Sequence, residues 1–276
     1  MLTYWIKKII NVIKNDGLGG FLKKSFHVLL GKIFSRQPGE FVIIYKVLRN
    51  FTQTGIMIDV GAAHGESLRL FAKQGWKIFA FEPDPKNRAV LIEVMGHYPN
   101  IEVDPRAVSS EDKSNVEFYT SNISFGLGSL APFHQTHTPS NLVDVVTLRS
   151  YIEVRKIEKV NFLKIDAEGF DYFVLKGFPW EKPQLHPDVI LCEFEDGKTQ
   201  DLGYSWKDMA EFLQGQGYHV IISEWLPIDD YSERHKWRRL KLFPSELADP
   251  NAWGNILAAK SDLVKDEIIK HFSSFT

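Results

Sequence analysis

One cysteine, Cys192, occurs in 276 residues, and it sits in the apolar run VILCEF. That excludes a disulfide framework and a thiolate metal centre, and it fits a buried thiol in a reducing compartment. No run of eighteen apolar residues is present, so no helix in the sequence is expected to span a bilayer. There is little charge imbalance either. The net charge of -2 and a pI near 6.5 give no basis for bulk attraction to nucleic acid. No internal repeat or low-complexity tract breaks the chain. What is present is ordinary for a globular protein: 44% hydrophobic and 25% charged residues, enough for a sizeable core.

The N-terminus is the one segment with local charge asymmetry. In MLTYWIKKIINVIKN, Leu2, Ile6, Ile9, Ile10 and Ile13 recur at helical spacing, with Lys7, Lys8 and Lys14 off that stripe. Residues 1–40 carry seven basic against two acidic side chains, a net of +5. Two readings stay open: a basic amphipathic helix lying on an anionic membrane, with Trp5 at the interface, or a helix packed on its own domain or a partner. Lysines interrupt every apolar stretch, which argues against a secretory signal. The expected location is cytoplasmic, with peripheral contact at the inner membrane face under the first reading.

From about residue 40 strands and helices alternate. FVIIYKVLRNF reads as a helix, IMIDV (56–60) as a buried strand, ESLRLFAKQG (66–75) as a helix and WKIFAFE (76–82) as a second strand. A helix over 85–96 and a single strand IEVDPRAV (101–108) follow, then a short strand NVEFYTS. A Gly/Ser/His/Pro-rich loop is expected over about 121–141, and VDVVTL (143–148) after it. VNFLKID, DVILCEFE, YHVIISEW and NILAAK read as the remaining strands, with helices FDYFVLKG and WKDMAEFLQGQG between them. Near-continuously apolar strands alternating with helices predict an α/β fold, a parallel sheet covered on both faces. The expected organisation is a basic helical extension over 1–50 and one catalytic domain over 51–276.

Ligands of open α/β sheets bind outside the carboxyl ends of the strands. The first strand ends at Asp59-Val60-Gly61, and the second at Glu82, twenty-one residues beyond Gly61. Glycines at 61 and 65 let the backbone approach a ligand closely, and a carboxylate at 82 suits the vicinal hydroxyls of a ribose. The bland alternative is that Asp59 caps the following turn and Glu82 is a solvated strand end. A dinucleotide fingerprint needs a third glycine where this chain has Ala63. Asp59 would repel a pyrophosphate and attract the ammonium and sulfonium of S-adenosylmethionine, so the cationic cofactor is favoured over NAD.

The pieces IDVGAAHGESLRLFAKQGWKIFAFEPDP, RAVSS, VVTLRSYI and NFLKIDAEGFDYFVLKG, in that order, resemble the FkbM family of S-adenosylmethionine-dependent methyltransferases over roughly residues 55–200. The resemblance implies a class I methyltransferase fold, Rossmann-like, with seven mostly parallel strands and the last inserted antiparallel. It implies that the loop Gly61-Ala62-Ala63-His64-Gly65 cradles the methionine part, that Glu82 binds the ribose, and that Ala107 flanks the adenine with Asp84 nearby. The acceptors it implies are hydroxyl oxygens of sugars or polyketides.

Transfer to an alcohol needs a base within hydrogen-bond reach. Asp166 and Glu168, at the end of the strand FLKID, leave the sheet at the same edge as Asp59 and are the candidate bases. They could also hold a divalent ion with Glu193 or Glu195, although no third clear ligand supports this, and helix N-capping is the bland alternative. His134 and His137 are a second pair of candidate acid–base residues, or simply a solvated loop pair. The absence of a proline-rich run after Asp166 argues against nucleobase N-methylation. The stretch 226–253 holds Arg234, His235, Lys236, Arg238, Arg239 and Lys241 interleaved with Tyr231 and Trp237. It is expected to be a lid closing on a glycan or anionic glycolipid, or else a surface segment with solvated charges. The function expected is O-methylation of a sugar, glycan or glycolipid precursor. Two alternatives are carried: an NAD-dependent oxidoreductase, and a non-catalytic binding protein that keeps the fold.

Overall fold

The computed structural model describes residues 37–123, 126–228 and 235–275. The basic segment expected over residues 1–15 lies outside the described residues, as do Tyr231 and Arg234. A compact unit runs from Gly39 to Ser274. It opens with helix α1 (Glu40–Leu48), whose Ile43, Ile44, Val47 and Leu48 are buried.

The main sheet contains β1 (Ile56–Val60), β2 (Lys77–Phe81), β3 (Ile101–Asp104), β7 (Phe162–Ile165), β8 (Val189–Glu195), β9 (His219–Trp225), β10 (Trp237–Leu242) and β11 (Trp253–Ala259). Their order is β10-β9-β11-β8-β7-β1-β2-β3. The run from β8 to β3 is parallel, and β11 enters antiparallel between β8 and β9. This is the expected fold, with an eighth strand added at the edge. The parallel strands are apolar without alternation because helices cover both faces. Ile58, Val60, Phe81, Leu163, Ile165, Ile190 and Cys192 form one continuous core with residues of the covering helices.

Local chemistry sets the helix starts. Helix α3 (Pro85–Met95) begins with proline in its first turn, and the Asp84 carboxylate accepts the Lys86 N–H at 2.8 Å. Helix α4 (Leu148–Arg155) is capped by Thr147, whose hydroxyl accepts the Ser150 N–H at 3.0 Å. In helix α7 (Trp206–Gly215), Ser205 and Asp208 form a reciprocal capping box. Helix α8 (Asp262–Phe272) is capped by Ser261 and buries Val264, Ile268 and Phe272.

Four expectations are corrected. Helix α2 covers only Arg69–Lys73, because the chain stays in turns after Gly61 and the Ser67 hydroxyl is bound to the Asp59 carboxylate. The single strand expected over 101–108 breaks in two. Asp104 accepts both the backbone N–H and the guanidinium of Arg106, which turns the chain, and Ala107–Val108 (β4) joins another sheet. That sheet has the order β4-β6-β5, with β5 at Lys113–Thr120 and β6 at Thr138–Val146. So part of the loop expected over 121–141 is strand. Finally, the stretch 226–253 contributes β10 instead of a lid. Glu224, almost fully buried, binds Arg239 at 2.6 Å, Arg238 at 3.3 Å and the Ala248 N–H at 2.9 Å. The Trp237 indole donates to Ser223 at 3.1 Å and its ring lies against Phe272. These groups bind the protein itself, so the anion-binding reading of Arg238 and Arg239 and the sugar-platform reading of Trp237 are dropped.

Candidate active site

The carboxyl ends of β1, β2 and β7 surround a cavity with about 620 Å³ of empty space, open solvent at its mouth included. Gly61, Ala63, Glu82, Asn87, Ala107 and Val108 line it. Asp166, Glu168 and Phe170 also line it, as do Phe118 of β5 and a flap of Gly126, Gly128, Ser129 and Leu130. A hydrogen bond of 2.8 Å from the Ser129 hydroxyl to the Glu168 carbonyl ties the flap to the end of β7.

The glycine at 61 is required by its neighbour across the sheet. Its φ is +79°, and a Cβ there would lie 1.9 Å from the Asp166 carbonyl oxygen. Gly65, also at positive φ, has Leu91 and Met95 of α3 where a Cβ would go, so it serves helix packing and does not line the cavity. Ala62 is buried and donates its N–H to the Phe81 carbonyl at 3.0 Å. Ala63 does line the cavity, in a left-handed conformation with φ +45°.

Glu82 is held by two backbone donors. Its Oε2 accepts the Ala63 N–H at 2.7 Å and its Oε1 accepts the Asp84 N–H at 2.9 Å. A carboxylate oxygen can accept twice, so each retains capacity toward the cavity it lines. Burial pushes this carboxyl up to about 7, against the opposing pull of those two N–H groups. Asp84, next to it, is occupied as the cap of α3 and is not part of the lining.

Asp59 is fully buried behind the cavity wall. Its carboxylate binds Ser67 and lies 3.2 Å from the Lys164 ammonium. Lys164 also reaches the Gly61 carbonyl at 2.6 Å and Asp166 at 3.2 Å. One buried ammonium therefore fixes the ends of β1 and β7 against each other. Burial raises the Asp59 carboxyl despite Lys164, while Asp166 and Asp59 hold Lys164 firmly charged.

Asp166 is the most open of the acids, its side chain 38% exposed. Glu168 does not share an extended face with it, because the chain reverses at Glu168 (φ +48°) and Gly169 (φ +93°). Nor do these two acids cap the following helix α5 (Asp171–Lys176). That helix has Phe170 at its N-cap and no side-chain cap, and the Asp171 carboxylate in its first turn reaches back to accept the Ala167 N–H at 3.3 Å. The Glu168 carboxylate instead binds the Lys198 ammonium at 2.7 Å. Lys198, in the short helix α6 (Asp196–Thr199), also meets Glu193 at 3.1 Å and Glu195 at 3.0 Å. Among the described residues, Asp166, Glu168 and Glu193 are the three acids close enough to share a cation, their nearest oxygens within 4.8 Å of one another. Lys198 already supplies a positive charge there.

His134 and His137 do not line the cavity. His137 accepts the Phe133 N–H at Nδ1 (3.2 Å) and meets the Leu127 carbonyl through Nε2 (2.8 Å), so it holds the flap together. His134 Nδ1 is bound to Thr136. Sequence reading missed Lys164, Lys198, Asn87 and the flap residues. For Lys198 a signal was present: a lysine three residues past an acid-rich strand end, in EFEDGK.

The model of the Methyltransferase FkbM domain matches residues 59–220, more than half of the chain. A hexuronic acid methyltransferase, AglP of Haloferax volcanii, is 26% identical over 140 residues, covering 50% of this chain and 56% of that protein. The crystal structure of the FkbM methyltransferase of Methylobacillus flagellatus superposes with a TM-score of 0.46 at 19% identity, over 75% of this chain and 44% of that one. A Burkholderia thailandensis 1,6-didemethyltoxoflavin-N1-methyltransferase gives 0.39 at 12% identity, over 93% and 90%. The chain thus spans about half the length of the first two relatives it matches. By the extent of the family match, it belongs to the FkbM methyltransferase family.

Proposed function

We propose that this member of the FkbM family is an S-adenosylmethionine-dependent O-methyltransferase whose acceptor is a sugar hydroxyl, on a glycan or a glycolipid precursor. The observation that carries the reading is Glu82: a buried carboxylate fixed by two backbone N–H groups, with acceptor capacity facing a cavity of nucleoside size. The cavity residues fit the cofactor. Glu82 would hold the ribose diol, the apolar pair Ala107–Val108 with Phe118 would flank the adenine, and the loop from Gly61 to Ala63 would meet the methionine part. When bound, the cofactor supplies an electrophilic methyl group on a sulfonium. Asp59 supports this from behind the wall by fixing Lys164 and Ser67, not by touching the ligand.

On the acceptor side the chain offers Asp166 and Glu168 as groups that take the hydroxyl proton and orient the nucleophile. Three carboxyls (Glu168, Glu193 and Glu195) share Lys198 as their cation, and Asp166 shares Lys164 with Asp59. That excess of acid favours a neutral hydroxyl over the carboxylate of a uronic acid as the reacting group. The Haloferax volcanii relative supports a sugar as the acceptor class.

Calorimetric titration with S-adenosylmethionine, with NAD as the control, is the test. Binding of the first that is lost in Glu82→Ala supports the reading. Binding of NAD alone would turn it toward an oxidoreductase, and binding of neither toward a non-catalytic protein. With the cofactor established, methyl transfer from labelled S-adenosylmethionine to neutral sugars and to uronic acids sorts the acceptor.

A further inference from the structure

Lys198 is absent from the cavity lining, and its side chain is only 4% exposed. A buried ammonium needs a reason, since taking it out of water is unfavourable unless it is paired. Three glutamates surround it: Glu168 from the end of β7, and Glu193 and Glu195 from the end of β8. Of the three, only Glu168 lines the cavity. The ring of Phe133, in the flap, lies 5.5 Å from the ammonium. Lys198 thus joins three pieces of the site, the β7 end, the β8 end and the flap.

The backbone at this point is arranged for the same contact. Glu168 sits at φ +48° and Gly169 at φ +93°, and a Cβ on Gly169 would come 3.3 Å from the Lys198 carbonyl oxygen. The strained turn brings the β7 end onto α6. A left-handed non-glycine residue such as Glu168 persists when its surroundings fix it. Two contacts fix it: Ser129 donates to its carbonyl at 2.8 Å, and Lys198 binds its carboxylate at 2.7 Å.

We infer that Lys198 is a positioning residue for methyl transfer: its ammonium holds the Glu168 carboxylate ionised and aimed into the cavity. This rests on the proposed reading of Glu168 as an acceptor-side base. Without the lysine, Glu168 would stand beside Asp166, Asp171 and Glu193 with burial against it, and it would keep its proton. A protonated carboxyl cannot take one from a hydroxyl. The charged and titratable groups facing Glu168 are Asp166 on its own strand end, Asp171 on α5, Glu193 on β8 and Lys198 on α6. Facing Lys198 are Glu168, Glu193 and Glu195, with His137 of the flap and His235 also within its electrostatic reach. Burial, countered in part by Lys198, places Glu168 at about 7, where the loss of one neighbour moves its charge across neutral pH.

The test is a carboxyl titration of the full chain labelled with 13C at the glutamate side-chain carbon, followed by NMR, with Glu168 assigned by its disappearance in Glu168→Gln. Calorimetry with S-adenosylmethionine runs beside it as a check on the fold and on the cofactor reading. The expected result is a midpoint for Glu168 that rises by one unit or more in Lys198→Met, a tenfold loss of the ionised form at pH values below the midpoint. Lys198→Arg should hold it within half a unit. Glu193→Gln should leave it within half a unit, because burial already keeps the Glu193 carboxyl protonated. A midpoint unmoved in Lys198→Met would overturn the inference. If Lys198→Met does not fold, Lys198→Gln, which keeps a hydrogen-bond donor without the charge, is titrated in its place, and an unmoved midpoint there overturns the inference as well. Because the titration needs no cofactor, wild-type protein that fails to bind S-adenosylmethionine refutes the cofactor reading while the Lys198–Glu168 coupling still stands or falls on its own midpoint.

Discussion

Replacing Gly61 by alanine tests whether the β1–β7 junction shapes the site. Two effects act at this position. The first is conformational: φ is +79°, and an L-residue held there loses roughly 1–2 kcal/mol. The second is steric. The new Cβ would lie 1.9 Å from the Asp166 carbonyl oxygen, where an ordinary contact is about 3.3 Å or more, so the two strand ends must part by over an ångström. Forced overpacking of this kind adds about 1–3 kcal/mol. Gly203 separates the two effects. Its φ is +77° and nothing lies within 4 Å of the place a Cβ would take, so Gly203→Ala carries the conformational part alone. Alanine reduces unfolded-state freedom equally at both sites, so that contribution cancels in the comparison. Gly61→Ala should therefore be less stable than Gly203→Ala by about 1–3 kcal/mol. For a unit of this size that is roughly 2–12 °C in Tm. The separation also displaces Asp166 and strains the bond from Lys164 to the Gly61 carbonyl, so S-adenosylmethionine affinity should fall tenfold or more in Gly61→Ala and stay unchanged in Gly203→Ala. Equal Tm and equal Kd for the two variants would refute the argument that strand proximity, not left-handed backbone alone, demands glycine at 61.

Three further outcomes follow from the same physics. Glu40 is buried against Ser223, Trp225 and Asn255, and burial lifts its carboxyl to about 7. A raised carboxyl favours folding below the unfolded value near 4.5 and loses that advantage as pH rises through 7. Glu40→Gln should therefore gain stability relative to wild type between pH 4.5 and 7, by up to roughly 3 kcal/mol, read from urea midpoints at each pH. Glu224→Ala leaves Arg238, Arg239 and the Ala248 N–H without their shared partner. It should lower stability by about 2–3 kcal/mol in thermal unfolding with S-adenosylmethionine affinity unchanged, since β10 is remote from the cavity lining. His137→Ala removes two bonds that hold the flap together and should raise the Kd for S-adenosylmethionine about tenfold in calorimetry, with the Tm changed by only a few degrees.

Features carried by short-range pattern were legible in the sequence. Apolar runs gave the parallel strands because burial on both faces leaves no alternation to confuse them. The acids at the strand ends were legible because the ends of neighbouring parallel strands meet at one edge, so Asp59, Glu82 and Asp166 could be placed together from order alone. Order does not say which way a side chain turns. Asp59 and Glu82 look equivalent in sequence, yet one lies behind the wall under Lys164 and the other faces the cavity. The strand β10 was hidden for a different reason. WRRLKL is basic and weakly alternating, and it forms a strand because buried Glu224 fixes its two arginines, a contact set by tertiary structure.

Lys198 shows where pattern ends and energetics begins. A lysine in DGKT reads as a solvated surface charge, and most lysines are. Burial at this position is tolerable only because three glutamates from two strand ends converge on one point. Those glutamates in turn would crowd one acid against another without the ammonium between them. Neither half explains itself alone. The sequence separates Glu168 from Lys198 by thirty residues, and their mutual need becomes visible only when β7 and β8 are laid side by side. The same mutual dependence holds on the other flank, where Lys164 is charged because Asp59 and Asp166 are near, and those acids stay close because it is. Two buried ammoniums therefore brace the cavity from outside its lining, Lys164 at the loop of Gly61 and Lys198 at the Glu168 carboxylate. A substitution at either should act on the site without touching a ligand, and the two should not substitute for each other.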